Sequence, residues 1–134
     1  MGLRTLVLVM RASGGGAINN VSPVCGLVGA SGYIAYTASK GAVTLMTKSA
    51  AAEYGPNGIR VNIIHPGAIA TPMFGAELAG LPENALAGFI EATPLRRLAE
   101  PEEVSNCVLF LASDEGSFVT GAELVVDDRL IVSR

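Results

Sequence analysis

The chain has 134 residues, half of them hydrophobic and 16% charged, with 16 glycines, no tryptophan and a net charge of −3. That length suits one domain with a moderate core, and the absence of any basic run speaks against a nucleic-acid partner. Cys25 and Cys107 match no metal or redox spacing, so the expectation is a reduced, cytoplasmic protein without a metal site, its two thiols acting as small buried hydrophobes.

The apolar run Leu6-Val7-Leu8-Val9-Met10 is too short to span a membrane and no cleavage region follows it, so neither a signal peptide nor a membrane span is predicted. Residues 3 to about 12 read as the end of a helix, closed by Ser13-Gly14-Gly15-Gly16. Ala17 to Ser22 reads as a short strand, stopped by Pro23, which has no N–H for a ladder. A loop with Gly26, Gly29 and Gly32 leads into an Ala-rich helix that opens at Tyr36-Thr37-Ala38-Ser39-Lys40 and runs to about Tyr54. Within it, Ala38, Ala42, Leu45, Met46 and Ser49 form a small-residue stripe suited to packing on a sheet or another helix. Gly55 is expected to be its left-handed cap, with Pro56 refusing to continue.

Ile59 to His65 reads as the next strand, which completes a strand-helix-strand unit of the length a parallel crossover needs. Pro66-Gly67 breaks the chain there. From Ala68 to about Ala99 no clean period emerges, and a stretch of that length is expected to be functional, such as a lid over a site. Pro101-Glu102-Glu103 starts a helix, with proline in the first turn and carboxylates facing the positive helix end; Val104, Cys107, Val108 and Leu111 follow at helical spacing. Thr120-Gly121 turns into a last strand, Ala122 to Val126. Alternating strands and helices predict an α/β fold with a parallel sheet covered by helices. Ligands then sit beyond the carboxyl ends of the strands, at Ser22-Pro23, Pro66-Gly67 and Asp127-Asp128.

Tyr36 and Lys40 are four residues apart, so they fall on one helix face a turn from each other. A free phenol (pKa of ~10) and a free ammonium (~10.4) are poor acid-base catalysts at neutral pH. A cation held beside the phenol favours the phenolate and lowers the Tyr pKa towards a useful value. Taken alone, the spacing also fits a surface helix that happens to carry both residues.

The stretches GGGAINNVSPVCG, YTASKGAV, EYGPNGIRVNIIHPGAIATPM and PEEVSNCVLFLASDEGSFVTGAELVVD, in that order and spacing, resemble the C-terminal half of the short-chain dehydrogenase/reductase family. The resemblance covers nearly everything from Gly14 to Asp127. It implies a partial doubly wound Rossmann-type parallel sheet of about three strands with flanking helices, and one such domain over residues 1–134. It also implies NAD(P)-dependent hydride transfer between nicotinamide and an alcohol or carbonyl compound. By the same resemblance Tyr36 is the acid-base residue, and Lys40 lowers its pKa and hydrogen-bonds the nicotinamide ribose. Pro66, Gly67, Ile69 and Thr71 match the motif that holds the nicotinamide end, with Tyr36 and Lys40 also counted among the cofactor contacts. Asn62 matches a structural asparagine, Met73 to about Glu91 matches the mobile substrate lid, and homo-oligomer contacts fall on the 35–54 helix and the last strand. The partners implied are a small alcohol or ketone and either NAD or NADP, without nucleic acid or membrane.

His65 sits at a strand end in a position that varies in this family and reads as structural or solvent-facing. Tyr33 and Phe74 fit a substrate pocket or plain packing. Asp114-Glu115 and the charges from Glu100 to Glu103 read as solvated faces or helix-end charges.

Three departures from the family pattern stand out. The catalytic serine normally lies thirteen residues before the tyrosine, and that position is Pro23. Ser22 replaces it only if the strand end is bulged or shifted, because a one-residue offset turns a side chain to the opposite face. Proline offers a carbonyl oxygen no donor, and losing one such donor costs about 10²–10³ in rate, so reduced or absent activity is expected. Second, no GxxxGxG pattern occurs. The glycine-rich phosphate loop, the active-site asparagine and the residue that separates NAD from NADP would all precede Met1, and the first strand is then left with an open apolar edge. Third, the usual Asp-Gly-Gly close is Asp127-Asp128-Arg129. The competing reading is a non-catalytic interaction module, or a truncated product of such a gene.

Overall fold

The computed structural model describes residues 2–128. The elements run α1 (Gly2–Ala12), β1 (Gly16–Val21), α2 (Ile34–Tyr54), β2 (Ile59–Pro66), α3 (Pro72–Leu78), α4 (Ala85–Ala92), α5 (Pro101–Ala112) and β3 (Glu123–Val126). The three strands form one parallel sheet in the order β1-β2-β3, with Ile18 beside Val61 and Ile64 beside Leu124. This is the α/β, Rossmann-type arrangement expected from the alternation of strand and helix.

β2 is the central strand, and its apolar run Ile59, Val61, Ile63 and Ile64 is fully buried, as a strand covered on both faces must be. On one face Val7 of α1, Ile18 of β1 and Ala50 and Ala51 of α2 pack with Ile59 and Val61, joined by Leu3, Met10 and Tyr54. Asn20 donates from Nδ2 to Thr47 Oγ1 at 2.8 Å, which ties β1 to α2 on this side. On the other face Asn62 donates to the Val119 carbonyl at 2.9 Å and accepts from the Ala122 N–H at 3.1 Å, stapling β2 to the turn before β3. Arg60 donates to the carbonyls of Leu111 (2.6 Å), Ser113 (3.1 Å), Val119 (3.3 Å) and Ala112 (3.4 Å). Those carbonyls include the orphaned acceptors at the negative end of α5, where a cation is favoured.

Several local expectations change. Gly55 is right-handed (φ −51°) inside a tight turn from Gly55 to Asn57, and the left-handed residue is Gly58 (φ +71°). The chain needs that extra turn to bring Ile59 into register with Gly16, whose N–H bonds the Gly58 carbonyl at 3.1 Å. The sheet-facing side of α2 is Thr44, Thr47, Ala50 and Ala51; the stripe of Ala38, Ala42, Leu45, Met46 and Ser49 faces outward. Small side chains permit close packing but do not say on which side the sheet lies. Residues 68–99, which show no period, contain two short helices, α3 and α4, joined through an edge-to-face contact of Phe74 and Phe89 with centroids 5.4 Å apart. Cys25 and Cys107 are free thiols and only half-buried.

At the chain's close, Asp128 adopts a left-handed backbone (φ +54°) that glycine takes more easily. Its carboxylate accepts the Leu95 N–H at 2.6 Å, a bond that glycine could not make and that offsets the strain. Arg129 lies outside the described residues. β1 pairs with β2 alone among the described residues, so its other edge is open. No helix among the described residues is long and apolar enough to cross a membrane.

Candidate active site

The carboxyl ends of all three strands lie at one edge of the sheet, and α2 begins there. Tyr36 and Lys40 occupy its first turns, and the Lys40 ammonium stands over the Tyr36 ring, 5.5 Å from its centroid. The cation is therefore placed against the face of the ring, a favourable cation–π position. The Tyr36 phenol is half-exposed, and its pKa is pushed up rather than down: burial is the main cause, followed by the Cys25 thiol and the Glu77 carboxylate. A phenol in those surroundings is protonated at neutral pH, the form that donates a proton.

The end of β1 is regular. Val21 stands beside Ile64, and the Ser22 N–H continues the ladder to the Ile64 carbonyl at 3.0 Å, with no bulge. Ser22 is fully buried, and its hydroxyl donates to the Lys40 carbonyl at 3.1 Å. Gly26 is needed beside it, since an added Cβ there would collide with the Ser22 hydroxyl. Pro23 begins the turn from Val24 to Gly26 with φ −61° and ψ 165°.

At the end of β2, Pro66 stands beside Val126 and the Gly67 N–H bonds the Val126 carbonyl at 3.0 Å. A Cβ on Gly67 would lie 2.7 Å from Asp127 Cβ and 2.8 Å from its Cα, so only glycine lets these two strand ends meet. Ile69 forms a parallel bridge with Ala99. Thr71 is the N-cap of α3: its hydroxyl accepts the Phe74 N–H at 3.2 Å and points its hydrogen at the Ile69 carbonyl at 3.4 Å. The helix that follows is thus fixed by the same residue that ends the Pro66–Thr71 segment.

His65 is fully buried rather than solvent-facing. Its Nδ1 lies 2.8 Å from the Ser22 carbonyl, which makes Nδ1 the protonated nitrogen, and its Nε2 lies 3.5 Å from Glu123 Oε2. Glu123 is in turn ion-paired with Lys48 of α2. The Nδ1 bond joins the ends of β1 and β2, a structural role for His65, while Nε2 has no hydrogen-bond partner among the described residues; the Lys48–Glu123 pair ties α2 to β3. The structural reading of His65 holds, whereas sequence reasoning did not find the Lys48–Glu123 pair, because these residues are 75 positions apart and meet only through the parallel register of Ile63 with Glu123. It also did not find Glu77, which accepts a hydrogen bond from Tyr33 beside Tyr36. Asp127 abuts Gly67, and Asp127-Asp128 lines a cavity of about 480 Å³ with Ala68, Arg97 and Glu103.

The donor set fits one part of a nicotinamide dinucleotide. Lys40 with three N–H donors, the Tyr36 hydroxyl and the Pro66–Thr71 backbone suit a ribose diol and a carboxamide. The glycines of Gly14-Gly15-Gly16 all have positive φ and lead into β1, so they form a turn before a strand and open no helix for a pyrophosphate.

The chain belongs to the short-chain dehydrogenase/reductase family: a family model described as enoyl-(acyl carrier protein) reductase matches residues 2–128. It is 53% identical over 127 residues to a cyclopentanol dehydrogenase of Comamonas sp. (strain NCIMB 9872), covering 95% of this chain and 50% of that protein. It is 50% identical over 127 residues to a 3-alpha-(or 20-beta)-hydroxysteroid dehydrogenase of Mycobacterium bovis, covering 95% of this chain and 45% of that protein. Among solved structures, a short-chain type dehydrogenase/reductase from Mycobacterium ulcerans superposes with a TM-score of 0.91 at 33% identity, over 98% of this chain and 47% of that one. A 7α-hydroxysteroid dehydrogenase complexed with NADH and 7-oxo glycochenodeoxycholic acid superposes with a TM-score of 0.87 at 30% identity, over 93% and 48%. The chain spans about half the length of the curated relatives it matches.

Proposed function

We propose that residues 1–134 form one partial Rossmann-type domain carrying the proton-transfer and nicotinamide-end part of an NAD(P)-dependent alcohol/carbonyl oxidoreductase site. The observation that carries this reading is the Lys40 ammonium 5.5 Å over the Tyr36 ring, where α2 begins at the sheet's carboxyl edge. Bound there, the nicotinamide supplies or accepts the hydride. Tyr36 donates its proton to the carbonyl oxygen of a ketone, or takes it from an alcohol. Lys40 holds the ribose hydroxyls, and Pro66, Gly67, Ile69 and Thr71 wall the nicotinamide end. NAD and NADP are treated alike in this reading.

Pro23 gives the carbonyl oxygen no donor, and Ser22 does not replace it, because its hydroxyl is buried on the Lys40 carbonyl in an unbulged strand end. Turnover is therefore reduced by about 10²–10³ relative to a site with that donor. Relatives named for cyclopentanol and hydroxysteroids favour a secondary alcohol on an alicyclic ring. The Phe74–Phe89 pair and the exposed Met73 supply apolar surface on the covering helices. A second copy of the chain is the partner this reading assigns to the outer stripe of α2, where Leu45 is 66% exposed, and to the β3 edge. Size-exclusion chromatography showing a strict monomer at every concentration would remove that assignment.

The test of the site itself is an amide NMR titration of the chain with millimolar NADH. Shifts at Tyr36, Lys40, Gly67 and Thr71 are expected; no shifts, or shifts confined to other residues, overturn the proposal.

A further inference from the structure

Tyr33 immediately precedes α2, three positions ahead of Tyr36, and the two rings meet edge to face with centroids 6.4 Å apart and planes at 62°. The Tyr33 hydroxyl donates to Glu77 Oε1 at 2.6 Å. Glu77 belongs to α3, a helix with no buried residue that packs only lightly on the rest of the fold. One side chain thus touches both the Tyr36 ring and the helix that follows the Pro66–Thr71 segment.

We propose that Tyr33 is a positioning residue for the Tyr36 site: its hydroxyl latches α3 through Glu77 while its ring packs edge to face against the Tyr36 ring. The proposal rests on the reading of Tyr36 as the proton-transferring group. A phenol donating to a carboxylate makes a short, charge-assisted bond, stronger than one between neutral groups. The ionisable groups that act on Tyr36 are Lys40 over its ring from α2, Cys25 from the turn after Pro23 and Glu77 from α3. Both phenols are pushed upward, Tyr33 first by its hydrogen bond to Glu77, and Tyr36 first by burial with Cys25 and Glu77 adding to it. Through Glu77 the latch adds to the upward push on the Tyr36 phenol.

The experiment compares wild type, Tyr33→Phe and Glu77→Gln by hydrogen exchange of the 72–78 amides and by NMR titration of ¹³C-labelled tyrosine. Tyr33→Phe keeps the ring contact with Tyr36 and removes only the hydroxyl. The expected result is exchange in α3 faster by about fivefold, the factor that one modest hydrogen bond supports, together with a downward shift of the Tyr36 titration. Glu77→Gln retains a neutral hydrogen bond, so α3 exchange rises less while the Tyr36 titration again moves down. Unchanged α3 exchange in Tyr33→Phe, or a Tyr36 titration at the wild-type pH in both variants, overturns the latch. A merely structural Tyr33 ring would leave both readouts in place. Both are made without cofactor or substrate, so failure of the latch is distinguishable from failure of Tyr36 to serve a nicotinamide reaction.

Discussion

The Ser22 hydroxyl donates to the Lys40 carbonyl at 3.1 Å, so the serine that follows β1 is engaged with the backbone of the lysine. Ser22→Ala then removes one buried hydrogen bond and lowers stability by about 1 kcal/mol. Its effect on ketone reduction is expected to be confined to that loss of stability. Pro23→Ser behaves in the opposite way. The backbone at Pro23 (φ −61°, ψ 165°) is extended and open to any residue, so the fold tolerates the change. The new hydroxyl is expected to raise turnover with saturating NADH by about 10²–10³. Denaturant curves and NADH oxidation rates on the two variants check both statements. A large loss of turnover in folded Ser22→Ala would assign Ser22 the role denied to it here.

Arg60 supports the opposite face of the sheet. Its guanidinium donates to four carbonyls at and beyond the end of α5. Arg60→Ala removes a charged donor from the Leu111 and Ala112 carbonyls, while Val119 keeps Asn62 and Ser113 keeps the Gly116 N–H, and is expected to cost about 2–3 kcal/mol. Arg60→Lys recovers only part, because a single ammonium cannot reproduce the planar fork. Urea unfolding of the two variants measures the difference.

Gly67→Ala places a methyl group 2.7 Å from Asp127 Cβ. The β2 and β3 ends must separate to admit it, at about 1–3 kcal/mol for overpacking. Because Gly67 joins the Pro66–Thr71 segment to β2, the expected signature is amide shifts extending to Ile69 and Thr71 as well as a lower melting temperature. A shift pattern confined to residues 66–68 would show that the segment is set independently of the strand ends.

Glu103 gives a pH dependence with a definite sign. Its carboxylate accepts two hydrogen bonds from Arg97 and one from the Glu100 N–H, and its pKa is lowered to about 2, first by Arg97 and then by the Glu100 N–H. A carboxylate with a depressed folded pKa stabilises the fold above its ordinary pKa of 4.5, and that contribution is lost as pH falls from there towards about 2. Exchange of the first α5 amides should therefore accelerate through this window in wild type. In Glu103→Gln the acceleration should already be present at neutral pH and change little on acidification.

Much of the fold is written in local pattern. The buried run of β2, the proline start of α5 and the Gly-Pro stop after α2 each depend on neighbours within a few residues, and all three elements form near the expected positions. What escaped depends on contacts distant in sequence. Which face of α2 meets the sheet is decided by Asn20 bonding Thr47 and by Ala50 and Ala51 reaching the core, and the stripe from Ala38 to Ser49 on the other side carries no mark against it. The left-handed residue is Gly58 instead of Gly55 because the chain adds a turn to meet Gly16. At the site, Tyr36 and Lys40 are legible because one helical turn fixes their relation. Glu77 is not, since it lies 44 residues from Tyr33 in a segment without periodicity.

The most direct measurement is a fluorescence titration of the 134-residue chain with NADH and with NADPH, followed by assay with cyclopentanone. In the proposed reading the described residues supply the nicotinamide end, whereas Gly14-Gly15-Gly16 forms a turn into β1 and opens no helix. No saturation at micromolar dinucleotide is therefore expected, with weak binding detectable only at much higher concentration. Micromolar binding together with turnover of the ketone would contradict this division of the site.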